Sequence, residues 1–247
     1  MKHRKPWLFP ILLTLLTVLL AGCGGNKVTA GELLEKCGQV SGFRATVTEE
    51  MTLESGGSST NAVYEGNLEF TEEIRHIKGS FKLGKREHMP EYYIRKTPGE
   101  EDSLDIYYYK KDDDIWKIEQ DWGELQGIST FLGNLQSVEL RPYEKDASEY
   151  VILAETDLVN VIDFGMTVYT GSGFSSVLEA LAGTTCAMHA ELTVNARTGL
   201  LKAADFVLIR KQEVQGKTIS ELHIRLDFTD MTLKDLQIPE EIIGGAF

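Results

Sequence analysis

From Phe43 onward, apolar and polar residues alternate again and again, and a repeating period of two commits the chain to β-sheet. Phe43, Ala45, Val47, Met51 and Leu53 alternate with Arg44, Thr46, Thr48 and Thr52, the pattern of a strand with one buried face. Further strand-like stretches cover 63–70, 74–83, 92–96, 104–110 and 115–119. Turn signals separate them: Gly56 and Gly57, Pro98 and Gly99, and the acidic run of Asp112, Asp113 and Asp114. Strands about ten residues apart with turns between them predict an antiparallel meander. The pattern returns late in the chain. Cys186, Met188, Ala190, Leu192 and Val194 alternate with more polar residues, and 203–212 and 218–228 read as two further strands. The loop 195–199 ends in Gly199, which supplies the positive φ that such a hairpin needs.

Helical spacing stands out at two places. Thr29 and Glu32 form a capping box, and Leu33, Leu34, Cys37 and Val40 share one face behind it. In the middle, Leu125, Ile128, Leu132 and Leu135 recur at helical spacing beside Phe131, and 126–137 carries no charge. A second zone, 164–190, has Glu179 as its one formal charge and includes a short predicted helix at 175–182. Surface helices of an acidic protein normally carry charge on their outer side. Uncharged ones predict an enclosed element or the wall of an apolar cavity.

The first residues form a separate unit. A basic start (Lys2, Arg4, Lys5) and an apolar run over 7–20 end in Leu20, Ala21, Gly22 and Cys23. That is the layout of a secretory signal, and the run is short for a membrane span of roughly 20 residues. Leu-Ala-Gly-Cys resembles the lipobox of bacterial lipoprotein precursors. The resemblance implies that 1–22 is a signal peptide cut before Cys23, that Cys23 carries acyl chains, and that 23–28 is a lipidated tether. At about 3.4 Å per residue, the linker 24–28 keeps the domain within roughly 20 Å of the surface. Once Lys2, Arg4 and Lys5 are removed, 22 basic residues face 38 acidic ones, a net charge of −16. Such a surface is repelled by phosphate backbones and anionic headgroups. Nucleic acid is therefore excluded as a partner, and membrane attachment falls to the lipid. No linker-like composition or tandem repeat divides 29–247, so one domain is expected.

Catalytic and metal-binding patterns are sparse. His76, His88, His189 and His223 fall on separate predicted strands or turns and form no metal-ligand spacing. Asp112, Asp113 and Asp114 lack the Gly and downstream Glu of a calcium loop and read as a solvated turn. There is no Gly-x-Ser-x-Gly and no phosphate-cradling loop. Glu49 with Glu50, and Glu72 with Glu73, read as adjacent acids on strands whose side chains point to opposite faces. The expectation is a non-enzymatic protein without metal or cofactor. Cys37 and Cys186 both lie on apolar faces; export permits a disulfide between them, and two buried thiols fit equally well. The tyrosines at 92, 93 and 107–109, with Trp116 and Trp122, cluster in the first meander. They suit strands and also suit a partner-binding face.

The order of a capped helix, a long meander, uncharged helices and closing hairpins resembles the half-barrel of the Lol-type lipoprotein carriers and the mycobacterial lipid-binding lipoproteins. It is more closely similar to uncharacterised lipoproteins of Gram-positive bacteria. The local matches are 194–200, the Tyr107, Tyr108, Tyr109 strand before 114–117, and the stretch from Phe228 to 238–242. The resemblance implies an α+β fold, a curved antiparallel half-barrel wrapped around a few helices, enclosing a groove for a lipid or other hydrophobic ligand. Its implied lining is Leu125, Ile128, Phe131, Leu132 and Leu135, with Met166 and Phe174 near a segment rich in glycine. The competing expectation is an envelope interaction or sensing module with a filled core and no identified protein partner. The implied location is the extracytoplasmic face of the cell membrane. Replacing Cys23 by Ser is expected to move the chain from the membrane to the soluble fraction, as read by immunoblot of fractionated cells.

Overall fold

The computed structural model describes residues 29–100, 103–111, 113–122, 125, 132, 140–146, 148–160, 185–214 and 217–247. The signal segment, Cys23, the tether and the short helix expected at 175–182 lie outside the described residues. The first described element is α1 (Ala30–Gly38). Its start is set by the capping box: the Glu32 amide donates to Thr29 Oγ1 at 3.2 Å, and the Thr29 amide donates to Glu32 Oε2 at 2.8 Å. None of the described helices is long and apolar enough to cross a membrane.

Two meanders follow. The first comprises β1 (Gly42–Ser55), β2 (Ser58–Thr71), β3 (Ile74–Leu83), β4 (Arg86–His88), β5 (Glu91–Lys96), β6 (Ser103–Lys110) and β7 (Ile115–Trp122). The second comprises β8 (Leu140–Asp146), β9 (Glu149–Asn160), β10 (Thr185–Asn195), β11 (Leu201–Val214) and β12 (Lys217–Asp230), and is followed by the short α2 (Glu240–Gly245). All pairings are antiparallel, and the sheet runs β7-β6-β5-β3-β2-β1-β12-β11-β10-β9-β8, with β4 beside β3. The sheet is curved and unclosed, so the expected α+β half-barrel is what is seen.

Local chemistry accounts for the turns. Gly56 and Gly57 both hold positive φ (56° and 80°), as a two-residue hairpin between twisted strands requires. The β10–β11 turn is the one expected from 195–199: Asn195 Oδ1 accepts from the amides of Arg197 and Thr198, and Gly199 has φ 74°. β8 and β9 are additions to the sequence reading. Val151 and Ile152 are adjacent and both fully buried, so β9 has no alternation there to detect. Pro142 lies in β8, the last strand of the sheet, where a missing amide is tolerated.

Direct partners across a ladder share a face. Phe43, Ala45, Val47 and Met51 of β1 lie on one face with Leu68 and Phe70 of β2, Ile224 and Leu226 of β12, Phe206 of β11 and Leu192 of β10. These residues form the main core, closed by Leu33, Leu34 and Cys37 of α1 and by Leu132. We call this the inner face. The chain after β12 forms a second, smaller core on the opposite face, where Ile238 and Ile242 bury Tyr93 and Tyr107, flanked by Ile74, Trp116 and Ile118. To reach it, the tail passes the start of β1. A Cβ on Gly42 would stand 2.3 Å from the Leu233 carbonyl oxygen and 2.7 Å from that of Phe70. Phe247 then pairs with the β7 edge, its carbonyl accepting from the Ile118 amide at 3.2 Å.

Cys37 is a free, fully buried thiol that donates to the Gly199 carbonyl at 3.1 Å, pinning α1 to the β10–β11 hairpin. The side chain of Cys186, the other half of the expected disulfide or thiol pair, lies outside the described residues.

Two tests follow from this packing. Gly42→Ala is expected to cost about 1–3 kcal/mol through the clash with backbone oxygens. A lower urea midpoint should report it, with Gly31→Ala, a helical position whose Cβ meets nothing, as a control whose midpoint does not fall. Burial pushes the Cys37 thiol up to about 12 from 9.0. The folded value lies above the unfolded one, so the thiol takes away no stability below about pH 9 and takes it away progressively from there to about pH 12. In a chain with Cys23 and Cys186 replaced by Ser, a thiol-specific reagent at pH 8 should label Cys37 only after denaturation.

Candidate functional site

The inner face continues past the closed core. On β5 and β6 the direct partners Ile94 and Ile106, and Tyr92 and Tyr108, extend the row from Ile77, which opposes Tyr92. All four, together with Leu104, are half-buried, whereas the row on β1 and β2 is almost fully buried. The curved sheet therefore presents a continuous apolar strip, closed over β1 and β2 and partly open over β5 and β6.

Among the described residues, three buried polar side chains interrupt this face. Arg75 is buried, with its guanidinium carbon 5.7 Å from the centre of the Phe70 ring. Glu49 and Tyr64 are direct partners on β1 and β2, and both are 0% exposed. Burial, and after it the charge of Glu49, pushes the Tyr64 phenol well above its ordinary value. Sequence reasoning places Glu49 and Glu50 on opposite faces, and Glu50 is exposed. It does not single out Glu49, although Glu49 falls in step with Phe43, Ala45, Val47 and Met51. Glu72 and Glu73 correct the sequence reading: they form the β2–β3 turn and not part of a strand.

The outer face is charged where the tail does not cover it. His76 faces two carboxylates, Glu69 at 2.9 Å and Glu91 at 3.3 Å, and its ring stacks on Tyr93 with centroids 4.1 Å apart. His189 faces Glu155 at 3.2 Å and His223 faces Asp205 at 2.8 Å. Each of these histidines thus meets an acid on a neighbouring strand, and among the described residues no three metal-ligating groups converge. Asp105, 6% exposed in its side chain, accepts from Arg95 at 2.9–3.0 Å and from Thr97 at 2.9 Å. In the acidic turn, Asp113 faces Lys110 and Lys117, and Asp114 accepts from the Tyr109 hydroxyl. Tyr93 and Tyr107 are consumed by packing under α2, which leaves a smaller aromatic surface on that side than the sequence suggests.

Of the groove residues expected from sequence, Leu125 is 8% exposed and Leu132 is 1% exposed, Leu132 within the main core. Ile128, Phe131, Leu135, Met166 and Phe174 lie outside the described residues. Two open clefts sit at the strand ends, away from Leu125 and Leu132. One, of 770 Å³, is lined by Glu73, Ile74 and 95–100; the other, of 540 Å³, by Ser41, 71–74 and 234–237. They meet at Glu73 and Ile74, and their mixed charges form no recognisable catalytic set.

No protein-family model matches the chain, and no curated protein matches it. Among solved structures, a DUF1329 family protein from Desulfovibrio piger aligns at 10% identity and a TM-score of 0.29, covering 85% of this chain and 92% of that one. A putative outer membrane lipoprotein-sorting protein domain from Vibrio parahaemolyticus aligns at 9% identity and 0.28, covering 86% and 95%. A beta-barrel-like protein of domain of unknown function DUF1849 from Brucella abortus aligns at 8% and 0.28, covering 78% and 100%. At these scores the assignment of a half-barrel rests on the strand pairing of this chain itself.

Proposed function

We propose that this chain is an exported lipoprotein, tethered through Cys23 to the extracytoplasmic face of the cell membrane, whose half-barrel binds a hydrophobic ligand and performs no catalysis. The observation that carries the reading is the half-buried strip of Tyr92, Ile94, Leu104, Ile106 and Tyr108 on the inner face. Water in contact with such a strip is unfavourable at about 25 cal/mol per Å², and an acyl chain laid along it relieves that cost. Leu125, with Ile128, Phe131, Leu135, Met166 and Phe174 outside the described residues, keeps the ligand-lining role that the resemblance implies. Leu132 contributes as packed core. The acidic surface supports the same division of labour, since it leaves the acyl anchor to hold the domain at an anionic membrane.

Residues 24–247, exported behind an ordinary cleavable signal and purified from cells, test this by native mass spectrometry. The expected result is a non-covalent lipid adduct that is lost in Ile106→Asp while the circular dichroism spectrum is kept. A bare mass in the parent protein, or an adduct unaffected by Ile106→Asp, refutes the reading.

A further inference from the structure

The half-buried strip on β5 and β6 has an asymmetric border. Direct partners share a face, so the edge strand β7 sets Asp121 beside Leu104, Glu119 beside Ile106 and Lys117 beside Tyr108 on the inner side. The two acids are met by donors of the chain itself. Glu119 accepts from the Tyr108 hydroxyl at 2.9 Å, and Asp121 accepts from the Trp122 amide at 2.8 Å. At the Leu104 end of the strip the charges balance, with Lys96 opposite from β5 and Asp121 opposite from β7.

At the other end, the β6–β7 hairpin tip, the border turns cationic. Lys117 opposes Tyr108, and Lys110 is the next residue of β6 on the same face. Their ammonium groups converge on one atom: Asp113 Oδ2 lies 3.3 Å from Lys110 Nζ and 3.4 Å from Lys117 Nζ. Asp114, the next acid of the turn, serves the outer face, where it accepts from the Tyr109 hydroxyl. Lys110, and after it Lys117, holds the Asp113 carboxyl below its ordinary value. Two ammonium groups have more donors than one shared oxygen can accept, and the trio keeps a net positive charge. In a chain of 25 basic and 38 acidic residues, this reverses the prevailing sign beside the apolar strip. Exposed charges more than about 8 Å away are largely screened at physiological salt, so the local sign is what a bound group meets.

We propose that Lys110 and Lys117 form the headgroup subsite of the strip, and that the ligand is an amphiphile ending in an anion, a carboxylate or a phosphate, with its acyl chain laid over Tyr108 and Ile106 towards Leu104. This rests on the hydrophobic-ligand reading above. From Leu104 to Lys110 an extended strand runs about 20 Å, room for an acyl chain along its length. The point where Asp113 Oδ2 sits is the point where both lysines hold an anionic oxygen, and such charge-assisted bonds are the stronger kind. A cationic head placed there meets two like charges instead.

The test uses the full mature chain carrying Cys23→Ser, so that no acyl anchor competes, stripped of lipid and loaded with a neutral apolar fluorophore, N-phenyl-1-naphthylamine. Dodecanoate, dodecyl phosphate and dodecylamine, all below their micellar concentrations, are compared as displacers at pH 8 and physiological salt. At least one of the two anions is expected to act at about fivefold lower concentration than dodecylamine, and the better of the two identifies the head. Lys110→Gln and Lys117→Gln should each narrow the difference to within about twofold. Asp113→Asn, which frees both ammonium groups, should widen it by about twofold or more, a gain that a purely structural trio does not produce. Lys78→Gln removes the same charge from the outer face, where Lys78 pairs with Glu91 at 3.0 Å, and should leave the preference intact. Displacement by dodecylamine at equal or lower concentration in the parent chain overturns the subsite. So does a preference that survives in either Lys110→Gln or Lys117→Gln, fails to rise in Asp113→Asn, or falls equally in Lys78→Gln. If the fluorophore does not bind, or none of the three displaces it, the hydrophobic-ligand reading itself fails, and the subsite with it.

Discussion

The ladder between β1 and β12 is the pairing on which the rest depends. The other pairings of the sheet join strands adjacent or nearly adjacent in the chain, whereas this one joins the first strand to the last, from Arg44 with Asp230 to Glu54 with Thr218. Without it there are two meanders, each with a long open edge and an apolar face too exposed to persist. The junction is reinforced on both faces. Inside, fully buried Phe43 stacks on Phe70 of β2 at 5.4 Å and meets Phe228 of β12 edge-on at 5.3 Å. Outside, Arg44 reaches Glu69 of β2 and Asp230 of β12. Closing so long a loop costs entropy only logarithmically in its length, and the fourteen-residue strands return that cost through paired backbone and a shared core.

That ladder also decides how the two halves of the inner face differ. Near β1 and β12 the face is sealed by α1 and Leu132, and at that seam the fold is a solid core. Moving outward to β5 and β6, the same face runs on with only partial cover. Glu49 sits on the sealed side, at the heart of the ladder, with Ile224 opposite on β12 and Tyr64 opposite on β2.

Much of the fold was legible because local signals agreed with one another. Thr29 and Glu32 mark the helix start, Gly56 and Gly57 the first hairpin, and Asn195 and Gly199 the β10–β11 turn, and in each case the backbone obeys. β8 and β9 were not legible, because Val151 and Ile152 are buried side by side and erase the alternation on which a strand is recognised. The tail was missed for a related reason. Ile238 and Ile242 reveal their role only when Tyr93 and Tyr107 are brought beneath them by the sheet, a contact across more than a hundred residues. Glu49 could have been noticed as the one acid in step with the apolar row of β1. For the groove, periodicity finds apolar residues and cannot tell a packed one such as Leu132 from one that lines a space.

The tail has a mechanical consequence. It leaves β12 at the centre of the sheet, crosses the start of β1 at Gly42, and docks on β5, β6 and β7 at the far side. In an open sheet, strands near an edge ordinarily fray independently of those at the middle, and their amides exchange with solvent at lower free energies. Here the outer strands cannot peel away unless the tail is lifted, and the tail is continuous with a central strand. The half that holds the open strip is thereby bound into the same opening event as the sealed half. The open strip in this way belongs to a sheet that unfolds as one.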